Sequence, residues 1–423
     1  MIVQRTETHV IKESHPIYRW IVEECSRSKN LYNKTLFIYR QAFTGNHDKI
    51  EEYRDIIKYG KFMSSFAIAK RMTKLKDEDY YSLSKKNSGT QVVCQVDKIM
   101  SSWFSSLKSY KKYPSKFRGK PRIPSYKKKH ELNYLIYTYN DARIQKDGTI
   151  NLRRDIKLPI HTNLTSFQQV RLVPKTGYVQ VEIIYNKEIT DSNLDKTRAI
   201  GIDLGLNNLM AITSNIGNIS NLVNGRPLKS INQYYNKRKA HLMGLLEKGG
   251  LKSSKRLRRL EMKRTCKIKD YLHKTSRRIV EFMYNNNIGT CFIGHNNGWK
   301  NEVEMGKRNN QNFVSIPYSL LINMLRYKIE EKGGQLIELN ESYTSKCSFL
   351  DNEEISKHEV YKGKRLKRGL FVSGSNKALN ADINGSLNIL KRGIGFSFKV
   401  ENDIFRPRKI DIEKKLLNFY HQK

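Results

Sequence analysis

Residues 200–214 read IGIDLGLNNLMAITS, and the reading of this stretch decides the fold class. An aliphatic run leads into Asp203, a glycine-rich turn follows, and a second aliphatic run departs. A short apolar run bounded by turn signals is a buried strand, here delivering a carboxylate to its end, where a cation can bind. A second carboxylate, Asp382, lies in NADINGSLNIL (380–390), inside the Asn- and Gly-rich start of an apolar, helix-like run. Either aspartate alone reads as a turn residue or a helix cap. Two of them in so basic a chain point to metal-dependent phosphodiester chemistry.

The basic character is extreme: 423 residues carry a net charge of +39, with a pI near 9.9. That length has room for two to four domains, and 24 Tyr, 16 Phe and 3 Trp supply core material. A charge excess of this size repels itself and calls for a polyanion. The cations are spread among tyrosines along the whole chain, as in a protein that wraps nucleic acid. No run of 18 apolar residues is present, so no membrane span is expected. The start, MIVQRTETHV, lacks a signal-peptide core, so the expected location is cytoplasmic and nucleoid-associated. The cysteines (Cys25, Cys94, Cys266, Cys291, Cys347) are dispersed and form no CxxC pair, so they are expected to be free thiols.

Residues 1–12 alternate as one strand, and residues 16–110 turn helical, with aromatics at three- and four-residue spacing that suits a core. The segment 111–129, KKYPSKFRGKPRIPSYKKK, breaks that pattern with three prolines and nine cations. Lys116, Arg118, Lys120 and Arg122, interleaved with Phe117 and Tyr126, read either as a solvated linker or as a strip contacting phosphates and bases. VRLVPKTGYVQVEIIY (170–185) is a hairpin within a small barrel or sheet covering 131–190. After Leu222 comes one long basic helical region, 231–284. Its Leu257, Leu260, Ile268, Leu272, Ile279 and Phe282 face a core, while Arg256, Arg258, Arg259, Lys274, Arg277 and Arg278 cover the rest. Such charge reads as a solvated helix face or, with almost no acid to pair it, better as nucleic-acid backbone binding. A strand (289–295), a helix (318–333) and a third strand (334–340) follow. An irregular charged insertion (341–375) carries Lys364 and Arg365, and the tail after Gly395 has no evident role.

The order and spacing of FRGKPRIPSYK, GIDLGLNNLMAITS, DYLHKTSRRIV, FIGHNNGWK, YTSKCS and NADINGSLNIL resemble the TnpB (OrfB) family. These proteins are encoded by bacterial insertion sequences and are related to type V CRISPR effectors. The resemblance covers about residues 103–390. It implies a multidomain α/β protein with an RNase H-like (RuvC) nuclease domain split over 196–340 and 376–395. It further implies a wedge β-barrel (1–12 and 111–195) interrupted by a helical recognition domain (13–110), a target-nucleic-acid-binding insertion (341–375) and a C-terminal tail (396–423). The activity implied is RNA-guided, Mg²⁺-dependent DNA cleavage. The implied partners are a guide RNA from the element's end and a double-stranded DNA target beside a short motif. Asp203 matches the first catalytic aspartate and Asp382 the last, together holding two Mg²⁺.

Two departures from the family matter. The glutamate that normally ends the second nuclease strand is Gly294 here, and a glycine ligates nothing. WKNEVEMGKRNNQNF (299–313) offers Glu302 as the displaced third ligand, with Glu304 in reserve. The family's zinc-ribbon cysteines are also missing: Leu350 stands where a partner of Cys347 belongs, so no zinc is expected. The rival reading is a nuclease-inactive, RNA-guided DNA-binding repressor. It has no need of two buried carboxylates that repel each other.

Overall fold

The computed structural model describes residues 2–57, 63–152, 156–189, 192–217, 219–296, 315–396, 398 and 402–412. Two units divide the chain, residues 2–188 and 189–423.

The first unit opens with β1 (Ile2–Lys12) and continues into α1 (Ile17–Thr44), α2 (Ser65–Lys74), α3 (Glu78–Tyr81) and α4 (Lys86–Lys112). α1 stops at Gly45, whose φ of 78° closes the helix in the left-handed region that glycine adopts without penalty. The strands that follow are β2 (Leu135–Thr138), β3 (Arg143–Ile144), β4 (Thr149–Asn151), β5 (Lys157–His161), β6 (Gln169–Lys175) and β7 (Tyr178–Glu188). The expected hairpin is the antiparallel pair β6–β7, and β7 pairs with β1 along its whole length, from Ile2↔Glu188 to Lys12↔Tyr178. One sheet has the order β1-β7-β6-β2, and β3-β4-β5 form a separate one. Leu31, Tyr39 and Val92 from the helices bury into the same apolar cluster as Tyr137, Val181 and Ile183 from the strands.

The second unit is built on a mixed sheet. β8 (Asp195–Leu204), β9 (Asn208–Ser214) and β10 (Ser220–Asn224) are antiparallel neighbours. After α5 (Arg226–Lys248) and α6 (Lys255–Asn285), β11 (Ile288–Gly294) returns parallel to β8. α7 (Tyr318–Glu330) then leads to β12 (Gln335–Leu339), parallel to β11. β11 is buried at every residue, as a central parallel strand covered on both faces must be. A small sheet follows, of β13 (Lys364–Lys367), β14 (Leu370–Val372) and β15 (Ala378–Leu379), before α8 (Ala381–Ile394).

Three expectations are corrected here. The basic region 231–284 is two helices, α5 and α6, separated by Gly249 and Gly250, the latter at φ +65°. The insertion 341–375 contains the paired strands β13 and β14. The tail contributes to the fold as well. Its β16 (Arg408–Ile410) extends the main sheet parallel to β10, giving the order β12-β11-β8-β9-β10-β16. Ile410 and Ile412 from this tail join the core. Among the described residues, no helix is long and apolar enough to cross a membrane.

Candidate functional site

Side chains alternate across β8 with period two. Ile200 and Ile202 enter the core shared with α6 and α7, whereas Ala199 belongs to the cluster with Ile389 and Leu390 of α8. Gly201 and Asp203 share that second face. The helix crosses so closely that a Cβ on Gly201 would stand 2.5 Å from the Ser386 carbonyl oxygen. A Cβ on Gly385 would stand 2.9 Å from Asp203 Oδ2. The glycines on both elements therefore bring the start of α8 onto the end of β8.

That start is capped by Asn380, whose side chain accepts the amide hydrogens of Asp382 (2.9 Å) and Ile383 (3.4 Å). Capping is thus done by Asn380, and the carboxylate of Asp382 is free for other work at the positive end of the helix. It accepts a hydrogen bond from Asn208 Nδ2 at 2.7 Å and lies 3.5 Å from the Arg365 guanidinium. The turn after Asp203 is fixed by Tyr318, whose hydroxyl donates to the Gly205 carbonyl at 2.8 Å.

A third carboxylate faces the same cavity, and the sequence reading did not single it out. Glu341 follows β12, whose Leu339 is in register with Gly294 of β11. A Cβ on Gly294 would lie 3.1 Å from both Glu341 Cβ and Glu341 Oε2. The space beside position 294 is therefore occupied by the Glu341 carboxylate. The Glu341 amide is held by Asn296 Oδ1 at 3.0 Å. Glu302 and Glu304 lie outside the described residues.

The three acids line one cavity of about 990 Å³, whose wall also carries Arg226, Arg365, Arg368 and Lys409. It opens at the carboxyl end of β8, between an antiparallel and a parallel neighbour, where open α/β sheets bind their ligands. Burial, together with the charges of Asp382 and Glu341, holds the Asp203 carboxyl well above the usual carboxylate range. Burial pushes Glu341 up to about 7. Groups perturbed in this way take up a cation readily, because it relieves their repulsion. Among the described residues, no three His, Cys, Asp or Glu side chains are gathered tightly enough to hold one ion by themselves. Mg²⁺ is held by one or two carboxylates and keeps waters or substrate phosphates for the rest of its shell.

The other predicted residues divide into four groups. Lys116, Arg118, Lys120 and Arg122 are exposed in the first unit, while the aromatics beside them pack. Phe117 meets Tyr110 edge-on at 5.6 Å, and Tyr126 lies under Arg40 at 4.8 Å. On the second half of α6 the expectation of unpaired cations is wrong. Lys274 pairs with Asp270 at 2.6 Å, Arg277 with Glu281 at 2.7 Å, and Arg278 donates to the Asp411 carbonyl at 3.1 Å. Arg256 and Arg259, near the start of α6, face a basic cleft instead. Lys364 and Arg365 stand on the exposed strand β13.

Around Cys347 the insertion is pinned by carboxylates. Asp351 accepts from the Ser348 hydroxyl (2.5 Å) and from the amides of Gly374 (2.6 Å) and Ser375 (3.1 Å). Burial alone would raise its pKa, but these hydrogen bonds outweigh it and the net shift is downward. Glu353, 3% exposed, accepts from the amides of Ser348 (2.7 Å) and Lys362 (2.9 Å). Asn384 and Asn388 of α8 each donate to the Cys347 carbonyl at 2.8 Å, which ties this loop to the helix bearing Asp382.

A family profile described as "Probable transposase" (OrfB of IS605) matches residues 180–300, and a Cas12f1-like TNB-domain profile matches residues 318–389. The chain is 26% identical over 248 residues to the TnpB-like protein ORF457 of Acidianus two-tailed virus, covering 56% of this chain and 50% of that protein. The chain thus spans about half the length of this curated relative. Its fold is similar to that of Cas12f1 in a cryo-EM complex with sgRNA and target DNA, at a TM-score of 0.51 and 14% identity over 88% of this chain and 82% of that one. A Cas12f ternary complex aligns at a TM-score of 0.37 and 14% identity, over 86% and 80% of the two chains.

Proposed function

We propose that this chain, which belongs to the TnpB/OrfB family, is an RNA-guided, Mg²⁺-dependent DNA endonuclease with a RuvC-type carboxylate centre. The observation that carries this reading is the meeting of Asp203, Asp382 and Glu341 in one cavity walled by arginine and lysine. The mixed sheet β12-β11-β8-β9-β10 supports an RNase H-like assignment. In this reading Glu341, whose carboxylate lies beside Gly294, supplies the third ligand; Glu302, the expected one, lies outside the described residues.

Divalent ions held there would polarise the scissile phosphate and stabilise the attacking and leaving oxygens. Asp203 and Asp382 would ligate from the strand end and the helix start, and Glu341 from the far side. Asn208 orients Asp382 through its 2.7 Å hydrogen bond. Arg365 neutralises Asp382 while the site is free of substrate, and with Arg368 it would draw the phosphate backbone into the cavity. In this reading 1–12 and 111–195 act as the wedge and 13–110 as the recognition part. The exposed cations of 116–122 and of the insertion then contact guide RNA and target DNA.

The test is to purify the protein from cells that also transcribe the element's end, sequence the bound RNA, and challenge the complex with a randomised target library. The expected result is depletion of guide-matched, double-stranded targets beside one short motif, with Mg²⁺ and not with EDTA. A monodisperse, nucleic-acid-free protein at low salt that ignores added RNA overturns the proposal. Guided binding without cutting moves the protein to the repressor class.

A further inference from the structure

A second cavity, of about 610 Å³, lies between α5 and α6, away from the carboxylates. Its lining follows helical periodicity on both sides: Tyr234 and Arg238 from α5, and Arg256, Arg259, Lys263 and Lys267 from α6. Spacings of three and four residues place these α6 cations on one face, where like charges destabilise a helix. No carboxylate lines the cleft, and among the described residues none of these five cations enters an ion pair. The floor is rigid. Arg264 stacks 4.9 Å from the centre of the Tyr235 ring and is fixed by Asn232 Oδ1 at 2.7 Å and the Ser315 carbonyl at 3.2 Å. Asn232 is 1% exposed, and its Nδ2 has no hydrogen-bond partner. Tyr234, also in the lining, is 64% exposed and available for stacking.

We propose that this cleft binds a single strand of nucleic acid, with its phosphates on the α5 and α6 cations and one base stacked on Tyr234. The charge selects a polyanion, because the repulsion built into the cleft is relieved only by phosphates. The geometry selects a single strand: the cavity is too small for a duplex, and a free aromatic face serves unstacked bases. This inference rests on nucleic-acid binding and is independent of the cleavage reading. Loss of cutting with binding here intact overturns that reading alone, and loss of binding here with cutting intact overturns this one alone.

The experiment uses the full chain. Affinities for oligouridine, oligothymidine and a duplex of equal length are measured between 50 and 300 mM salt (a range on the order of that over which phosphate contacts are resolved). Tyr234→Ala should weaken single-strand binding by about 5- to 100-fold, while Tyr234→Phe retains it. The pair Arg259→Gln/Lys263→Gln should lower the single-strand salt slope by about 1.4, or about 0.7 per lost phosphate contact. Photocrosslinking of bromouridine-labelled strands should modify the peptide containing Tyr234. A preference for oligouridine supports the site with RNA as its occupant, and the reverse preference supports it with DNA. Unchanged single-strand affinity and slope, equal weakening toward the duplex, or crosslinks that avoid Tyr234 would each overturn the proposal.

Discussion

Replacing Glu341 by glutamine should make the metal-free protein more stable. Burial lifts this carboxyl from 4.5 to about 7. Because the folded-state value is raised, the group costs nothing while protonated in both states, below about pH 4.5. Stability is lost as pH climbs from there through 7, where the unfolded chain ionises freely and the folded one resists. A shift of this size corresponds to about 3 kcal/mol once pH exceeds 7, at about 1.4 kcal/mol per unit. Glutamine has no charge to lose, so the variant should gain up to about 3 kcal/mol over the native protein at pH 8. For a unit of this size that is a rise of about 6–12 °C in the unfolding midpoint. At pH 4 the two proteins should coincide. Added Mg²⁺ should stabilise the native protein at pH 8 and the variant less, since a ligand stabilises by its affinity for the folded state. Thermal scans from pH 4 to 8.5, with EDTA or with Mg²⁺, read all of this. A variant less stable than the native protein at pH 8, or equally advantaged at pH 4 and pH 8, refutes the reasoning.

Three further outcomes follow from the geometry. Glu353→Ala leaves the buried amide of Ser348 and the part-buried amide of Lys362 without their acceptor, and should destabilise the protein by about 2 kcal/mol in urea unfolding. Zinc analysis of purified protein should give far less than one zinc per chain, because Asp351 and Glu353 already tie the turns around Cys347. Gly385→Ala puts a methyl 2.9 Å from Asp203 Oδ2. The helix gains propensity of about 1 kcal/mol, which offsets the crowding, so cleavage should fall at least about tenfold with little change in unfolding midpoint.

What the sequence reveals is what its local patterns encode. Asp203 and Asp382 were legible because an apolar run ending in Asp-x-Gly and an Asn/Gly-rich helix start are contiguous signals. Glu341 was not legible, since ELNESY carries no local mark of a site. Its signal is non-local: parallel strands end on the same edge, so a residue just past β12 arrives beside the vacancy left by Gly294 at the end of β11. The division of the basic region into α5 and α6 was signalled by Gly249-Gly250, but the helical periodicity on either side masked it. The pairing of Lys274 with Asp270 and of Arg277 with Glu281 was readable from their four-residue spacing. A three-residue edge strand such as β16 is too short to show a period at all.

The most direct test of the account is the rate at which the guide-loaded protein cuts one matched DNA in Mg²⁺, measured beside its affinity for that DNA. The native protein should cut, and Asp203→Ala and Asp382→Ala should each lose orders of magnitude in rate while binding the DNA as tightly as before. A native complex that binds and never cuts, or either variant cutting at the native rate, would contradict it.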